Sequence, residues 1–205
     1  MTDLTVSFLF DLDGTLVDSV YQHVLAWHEA LQDEGIELSI WRIHRKIGMS
    51  GGLFTNMLFR ETGHEIDAGR IERIRRRHAA AYKARAHEVR ALPGARELLA
   101  YLSEAEIPWA IATSGRIETA GPIIEMLGVD SSKTPVITRD MVRYAKPDPD
   151  LFLAAAAALG KPIERACLIG DSVWDMLAAR RAGGLGVGLL SGGYGEDELV
   201  RASAY

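Results

Sequence analysis

The sequence predicts an α/β chain: a doubly wound parallel sheet with an all-helical segment inserted after its first strand. Three observations carry this expectation. From Leu92 onward, short apolar runs alternate with helical patterns, as parallel strands joined by right-handed crossovers do. From residue 17 to about residue 90 the pattern is helical throughout, with no strand signal. One apolar run, residues 6–10, stands before that helical stretch and has to find its neighbours in the later sheet. The expected division is an α/β core of residues 1–16 and 90–205, with 17–89 as a helical cap. The linkers fall near 15–19 and 86–92.

Taken in order, residues 6–10 read as a short buried strand ending at the acidic turn Asp11-Leu12-Asp13-Gly14. Val20, Val24, Leu25, Trp27 and Leu31 recur at helical spacing, and Gly35 is a natural stop. Further helices are expected over 39–47, 53–60 and 67–89, the last with Ile71, Ile74, His78, Ala81 and Tyr82 on one side. Together these form a small bundle. Beyond Pro93 and Gly94 a helix runs to Leu102, then strand 109–112, helix 117–127, strand 136–138 and helix 149–159. Strand 166–169, helix 172–182 and strand 186–189 follow. Residues 196–204 read as a last helix.

Composition narrows the class. The chain has 205 residues, enough for a core domain carrying a smaller insertion, with 48% hydrophobic and 25% charged residues. No apolar run reaches the length of a membrane span, and the N-terminus carries an acid at Asp3 rather than a basic region before a cleavable apolar segment. The single cysteine, Cys167, excludes an intramolecular disulfide framework; it sits in an apolar run and reads as a buried inert thiol. A cytoplasmic protein is expected. All six histidines, His64 among them, fall within residues 17–90, which carry 12 basic and 10 acidic residues while the whole chain is at −5. The basic run from Arg73 to His78 reads as a solvated helix face, with Arg77, His78 and Tyr82 the residues able to reach inward. The acidic total and the lack of interleaved aromatics argue against nucleic acid.

The chemistry gathers where strands end, since ligands of a doubly wound sheet bind beyond the carboxyl edge. After the first strand come Asp11 and Asp13, two apart and therefore on one face of an extended segment. Carboxylates that close repel and call for a cation or a shared proton. Taken alone, the pair is equally well a solvated turn. After the second strand come Thr113, Ser114 and Gly115; after the fourth come Asp171 and Ser172, with Asp175 one helical turn on. Lys146 precedes Pro147 before the next helix. Carboxylates, a hydroxyl with backbone amides, and a lysine at one edge suit phosphoryl chemistry with Mg²⁺, which takes oxygen ligands and retains waters. Asp11 and Asp171 can supply metal ligands, while Thr113, the Ser114 and Gly115 amides and Lys146 neutralise phosphoryl oxygens. Asp13 is then placed to protonate the leaving oxygen and later activate water.

These four stretches, Asp11-Leu12-Asp13-Gly14-Thr15, Ile111-Ala112-Thr113-Ser114-Gly115, Lys146-Pro147-Asp148-Pro149 and Gly170-Asp171-Ser172 with Asp175, resemble the haloacid dehalogenase superfamily. The likeness is to its phosphatase and phosphomutase branch with a helical cap, and it spans nearly the whole core in the family's order. The resemblance implies Asp11 as nucleophile and Asp13 as acid/base. It also implies a metal held by Asp11, the Asp13 backbone carbonyl and Asp171, with Asp175 supporting the metal site and Lys146. Dehalogenases of this superfamily lack the second aspartate, so Asp13 argues against that chemistry. Phosphonoacetaldehyde hydrolases use a cap lysine; Lys46 lies near that part of the cap and reads instead as a solvated helical lysine. The sugar phosphomutases carry a histidine twelve residues after the nucleophile, and His23 stands there, either as an active-site contact or as a packed helix residue. They also carry an arginine in the cap loop and a second acid before the metal aspartate. This chain has Gly48-Met49-Ser50-Gly51-Gly52 and Gly170 instead.

The uncharged loop of Gly48, Met49, Ser50 and Gly51 is expected to contact substrate, because caps in this family select substrates there. Gly183 to Gly188 only superficially resembles a phosphate loop: it ends a helix and enters a strand. The expected activity is a Mg²⁺-dependent phosphatase acting on a small phosphorylated metabolite through an aspartyl-phosphate, with phosphoglycolate and hexose phosphates as candidates. A sugar phosphomutase is the nearest alternative, and a non-catalytic phospho-ligand-binding protein the alternative of another class. No membrane or nucleic-acid partner is expected, and the sequence does not specify an oligomeric state. Past residues 196–204 the resemblance would carry on to a further strand and helix.

Overall fold

The computed structural model describes residues 6–63 and 67–205; Asp3 and His64 lie outside them. A five-stranded, all-parallel sheet forms the centre, from β1 (Ser7–Phe10), β4 (Trp109–Ala112), β5 (Val136–Ile137), β6 (Ala166–Gly170) and β7 (Leu185–Gly188). A separate two-residue ribbon pairs β2 (Val17–Asp18) with β3 (Arg90–Ala91) in antiparallel fashion. The sheet order is β5-β4-β1-β6-β7, so the direction of winding reverses at β1, and the crevice beyond its carboxyl end is the expected ligand position.

Alternation in the strands explains the two layers. On one face Phe10, Ile111 and Ile169 pack under α5 (Ala95–Glu104) and α6 (Ile117–Met126). On the other, Leu9, Ala110 and Leu168 pack against α7 (Asp150–Ala158) and α8 (Val173–Ala182). Alanines at 155, 156, 178 and 179 let those two helices lie close to the sheet. A final helix, α9 (Glu196–Arg201), buries Leu199 beside Met176 and Tyr194.

The inserted stretch comprises α1 (Val20–Gln32), α2 (Ile40–His44), α3 (Gly51–Thr62) and α4 (Ala68–Arg85). It has its own core, in which Val24, Trp27, Leu31, Phe54, Leu58 and Ile74 are buried together. The helical stripes match expectation except at Leu25, which is exposed. Gly35 and Gly63 stop their segments with positive φ, and Asp67 caps α4 by accepting from the Gly69 and Arg70 amides. The expected fourth helix is shorter than 67–89, its last turn tightening to 3₁₀ over Ala86–Glu88.

The expectation of no strand from 17 to 90 is wrong at both ends. Val17 pairs with Ala91 and Asp18 with Arg90, so the chain leaves and re-enters the core through adjacent strands. A second seam joins the helical segment to the core on the far side. There the Arg45 guanidinium lies 4.2 Å above the Tyr194 ring and pairs with Glu198, and His44 Nε2 is 2.8 Å from the Gly192 carbonyl.

Candidate active site

β1 delivers Asp11 to the carboxyl edge, where its amide still donates to the Ile169 carbonyl at 2.8 Å. Gly14 then turns the chain with φ +81°, and a β-carbon there would stand 2.4 Å from Asp171 Oδ2. Only glycine satisfies both demands. Asp11 and Asp13 thereby line one cavity of about 180 Å³ between the sheet edge and the helical segment.

Beneath that cavity is a buried charge cluster. The Lys146 ammonium, wholly buried, donates to Asp11 Oδ1 at 2.5 Å and lies 2.8 Å from Asp175 Oδ1 and 5.0 Å from the Phe152 ring centroid. Burial pushes the Asp11 carboxyl up to about 7; Lys146 opposes this, and the charges of Asp175 and Asp13 add to it. Burial also works against a charged Lys146, but Asp11 and Asp175 outweigh it and raise its pKa. Asp175 is held by its place at the start of α8, where it and Ser172 form a reciprocal cap: Ser172 N–H donates to Asp175 Oδ2 at 3.1 Å and Asp175 N–H donates to Ser172 Oγ at 3.3 Å.

Asp11, Asp171 and Asp175 each place a carboxylate oxygen within 4.8 Å of the others. Asp171 is buried and accepts from the Thr15 hydroxyl at 2.9 Å. Its pKa is driven well above the usual carboxylate range by burial, then by Asp175 and Asp11. Three clustered carboxylates, two of them paired with the one ammonium, leave an excess of buried negative charge, and an all-oxygen donor set is what Mg²⁺ takes. The residues therefore fit the metal that the sequence suggests. The Asp13 side chain takes no part in this cluster; the resemblance assigned its carbonyl.

Asp13 is held differently. Its Oδ1 accepts from Ser19 Oγ at 2.5 Å and is 3.2 Å from His23 Nε2, while Oδ2 faces Gly115. Burial would raise its pKa, but the His23 ring and the Ser19 hydroxyl bring it below the usual value. His23 is stacked on Tyr82 at 3.8 Å between centroids, and its Nδ1 is 3.2 Å from His78 Nε2. His23 is thus packed among aromatic rings and also lies beside Asp13. Two aspartates two residues apart sit in opposite electrostatic settings.

The rest of the rim comes from loops. After β4, Thr113 Oγ1 accepts from the Gly115 amide at 2.9 Å, and the Ser114 hydroxyl has no partner and lines the cavity. From the helical segment, Gly48, Met49 and Gly51 line it too. Ser50 does not: its amide donates to the Lys146 carbonyl at 3.0 Å and its hydroxyl caps α3. Gly48 has φ +93°, and a β-carbon there would stand 2.7 Å from Ser172 Oγ. Gly48→Ala is expected to cost about 1–3 kcal/mol from backbone strain and overpacking, read as a lowered urea midpoint. An unshifted midpoint would mean that the loop is not seated against Ser172. Gly170, where phosphomutases carry an acid, is equally constrained, since a β-carbon would lie 2.3 Å from Asp175 Cβ.

Two expectations for the basic residues need correction. Lys46 is not solvated: it is buried, pairs with Glu61 on α3 at 2.6 Å, and lines the cavity. The run from Arg73 is not one solvated face either. Arg73 and Arg77 pair with Glu34, but Arg75 and His78 line the cavity. Arg116 and Arg139 also line it, unanticipated. The glycine-rich stretch near Gly183 behaves as expected, ending α8 with φ +82° and leading into β7.

With this geometry in hand, the comparisons with known proteins agree. The family model described as haloacid dehalogenase-like hydrolase matches residues 7–183. A phosphoglycolate phosphatase of Caulobacter vibrioides is 34% identical over 197 residues, covering 95% of this chain and 83% of that protein. Hexitol phosphatase A of Escherichia coli is 33% identical over 178 residues, covering 86% and 79%. Among solved structures, a hydrolase from Pseudomonas syringae superposes with a TM-score of 0.95 at 57% identity, over 98% of this chain and 91% of its own. The sheet order, the four strand-end motifs and these matches together place the chain in the family of haloacid dehalogenase-like hydrolases.

Proposed function

We propose that this chain is a Mg²⁺-dependent phosphatase that hydrolyses a small phosphate monoester through an aspartyl-phosphate on Asp11. The observation that carries the reading is the Asp11 carboxylate, seated at the end of the central strand, held by Lys146 at 2.5 Å and open to the cavity. A carboxylate fixed by a buried ammonium has one oxygen oriented and the other available for in-line attack. Asp11 and Asp171 would hold the metal, with Asp175 supporting it and fixing Lys146. Bound there, Mg²⁺ would withdraw charge from the phosphoryl oxygens and relieve the repulsion among the acids.

The remaining roles fall to the chain's own groups. The Thr113 hydroxyl and the Ser114 amide receive phosphoryl oxygens, the Gly115 amide being spent on Thr113 Oγ1, and Lys146 adds fixed positive charge. Asp13 passes a proton to the leaving oxygen and later takes one from water, and His23 at 3.2 Å is the group positioned to exchange a proton with it. The helical segment 17–89 acts as a cap that covers the site during chemistry and carries substrate contacts from Gly48, Met49 and Gly51, which line the cavity. The relatives' substrates, phosphoglycolate and hexitol phosphates, mark the size class. The phosphomutase reading keeps its support from His23 and loses it at Gly170, where the geometry leaves no room for an acid.

A cytoplasmic setting fits Cys167, a free thiol that is half-buried rather than buried as expected, its pKa raised by that partial burial. No helix among the described residues is long and apolar enough to cross a membrane.

Purified protein is expected to release phosphate from members of a panel of small esters with Mg²⁺ and to lose that activity with excess chelator, recovering it on Mg²⁺ addition. Mg²⁺ should also raise the melting temperature, since it binds only the folded site. Conversion of a sugar 1-phosphate to its 6-phosphate isomer without phosphate release would favour the mutase. Full activity in chelator would sink the metal assignment.

A further inference from the structure

Two glycine backbones lie against the Asp171 carboxylate. One is Gly14; the other is Gly192, where a β-carbon would stand 1.7 Å from Asp171 Oδ2. The two stretches are tied together, since Ser191 Oγ donates to the Gly14 carbonyl at 2.6 Å. The Thr15 hydroxyl holds Oδ1 at 2.9 Å. In that orientation the carboxylate comes within 4.8 Å of those of Asp11 and Asp175.

The Gly192 side of this grip is a short turn. Leu190–Gly192 form one 3₁₀ turn beyond β7, entered from Leu189, whose N–H donates to the Gly170 carbonyl at 2.8 Å, and left through Gly193 with φ +84°. A single turn of this kind holds its shape weakly by itself. Its further anchor comes from the helical segment. His44, buried at the end of α2, brings Nε2 to 2.8 Å from the Gly192 carbonyl. A carbonyl oxygen only accepts, so this nitrogen carries the proton and donates it. Tyr21 stacks on the ring with centroids 5.4 Å apart, and Tyr194 lies at 5.7 Å. Gly193 fits the same ring closely, for a β-carbon there would be 2.8 Å from Nε2.

His44 is itself fixed to the core by the carbonyl that follows it. Arg45 O, at the end of α2, accepts from Trp174 Nε1 at 3.2 Å and from the Tyr194 hydroxyl at 3.0 Å. The path from the helical segment to a carboxylate of the acid cluster is therefore two contacts long, His44 to Gly192 and Gly192 to Asp171.

We infer that His44 is a positioning residue for the metal site: it holds the turn of residues 190–192 against Asp171 and so keeps that carboxylate in the orientation a cation needs. This rests on the metal assignment of the proposed function and goes beyond it, because metal affinity then depends on a residue of the helical segment that supplies no ligand. With the turn released, Asp171 gains rotational freedom that binding must remove again. The dependence is reciprocal: a cation that favours the seated carboxylate favours the docked helical segment by the same factor.

The test is calorimetric titration of MgCl₂ into the metal-free parent, His44→Leu and His44→Gln, with no ester present. The two substitutes are similar in size, and only glutamine keeps an N–H for the Gly192 carbonyl. His44→Leu should weaken Mg²⁺ binding roughly 10-fold, the lower end of what losing a group that supports a metal ligand costs, and His44→Gln should recover most of it. A merely structural role would lower the melting temperature of both variants without separating their Mg²⁺ affinities. Affinity in His44→Leu equal to the parent's overturns the inference, and with esters still hydrolysed it leaves the phosphatase reading standing. Weakened binding in His44→Leu, in a protein whose parent hydrolyses no ester, upholds the positioning role while defeating that reading.

Hydrogen exchange of the parent reads the reciprocal effect even where His44→Leu does not fold. Saturating Mg²⁺ should slow exchange of the amides of residues 40–46, and rates indifferent to Mg²⁺ would overturn the inference.

Discussion

Asp11→Asn is expected to lower turnover of the best ester by roughly 10⁴-fold or more, the scale of nucleophile removal in covalent catalysis. The amide keeps the size of the carboxylate but cannot attack phosphorus. It also removes one of three clustered acids, two of which share a single buried ammonium, so the metal-free variant should melt no lower than the parent. Intact stability with lost turnover separates a chemical defect from a folding one. Mass spectrometry of the quenched parent should reveal a phosphorylated protein during turnover, and the variant should show none. Normal turnover by Asp11→Asn with Mg²⁺ would end the aspartyl-phosphate reading.

Lys146→Met should be the most destabilising single change in the site. The ammonium is wholly buried and answers both Asp11 and Asp175. Methionine fills similar space but leaves two buried carboxylates without their cation, at a cost of about 3–5 kcal/mol. Urea denaturation of the metal-free protein reads this directly. Adding Asp175→Asn to Lys146→Met should recover part of the loss, because the orphaned charge disappears. A single variant within about 1 kcal/mol of the parent would show that the lysine is not the counter-charge that the geometry makes it.

Much of the core was legible because its signals are local. Trp109–Ala112 is a short apolar run that ends in the Thr113 loop, and Ser172 followed three residues later by Asp175 is a capping pattern. The two-residue ribbon escaped because two residues show no periodicity; the pairing of Val17 with Ala91 exists only once the helices between them have folded. Lys46 was misread for a similar reason, since its partner Glu61 lies on another helix and nothing near position 46 announces it.

The arginines that line the cavity were partly written in the sequence. Ile71, Ile74, Arg75, His78 and Tyr82 share one face at helical spacing, but the surrounding arginines masked the one that turns inward. Arg116 directly follows the Thr113 motif. Arg139 directly follows the strand expected at 136–138, where no motif marks it. Ser50 illustrates the converse: its place in the loop was anticipated, but only the fold shows its amide spent on the Lys146 carbonyl.

The central position of β1 has a consequence for how the molecule is made. Phe8 pairs with Trp109 and Ser7 with Ala166, so the strand bearing Asp11 meets its neighbours only after most of the chain has been synthesised. The inserted helices can associate from nearby sequence well before that, α1 against α4 within their own core. In the interval β1 is an unpaired apolar segment, and its length of four residues limits the edge it offers to other nascent chains. The carboxylate that comes first among the site residues in the chain is thus seated late, when β6 arrives with Asp171 at its end.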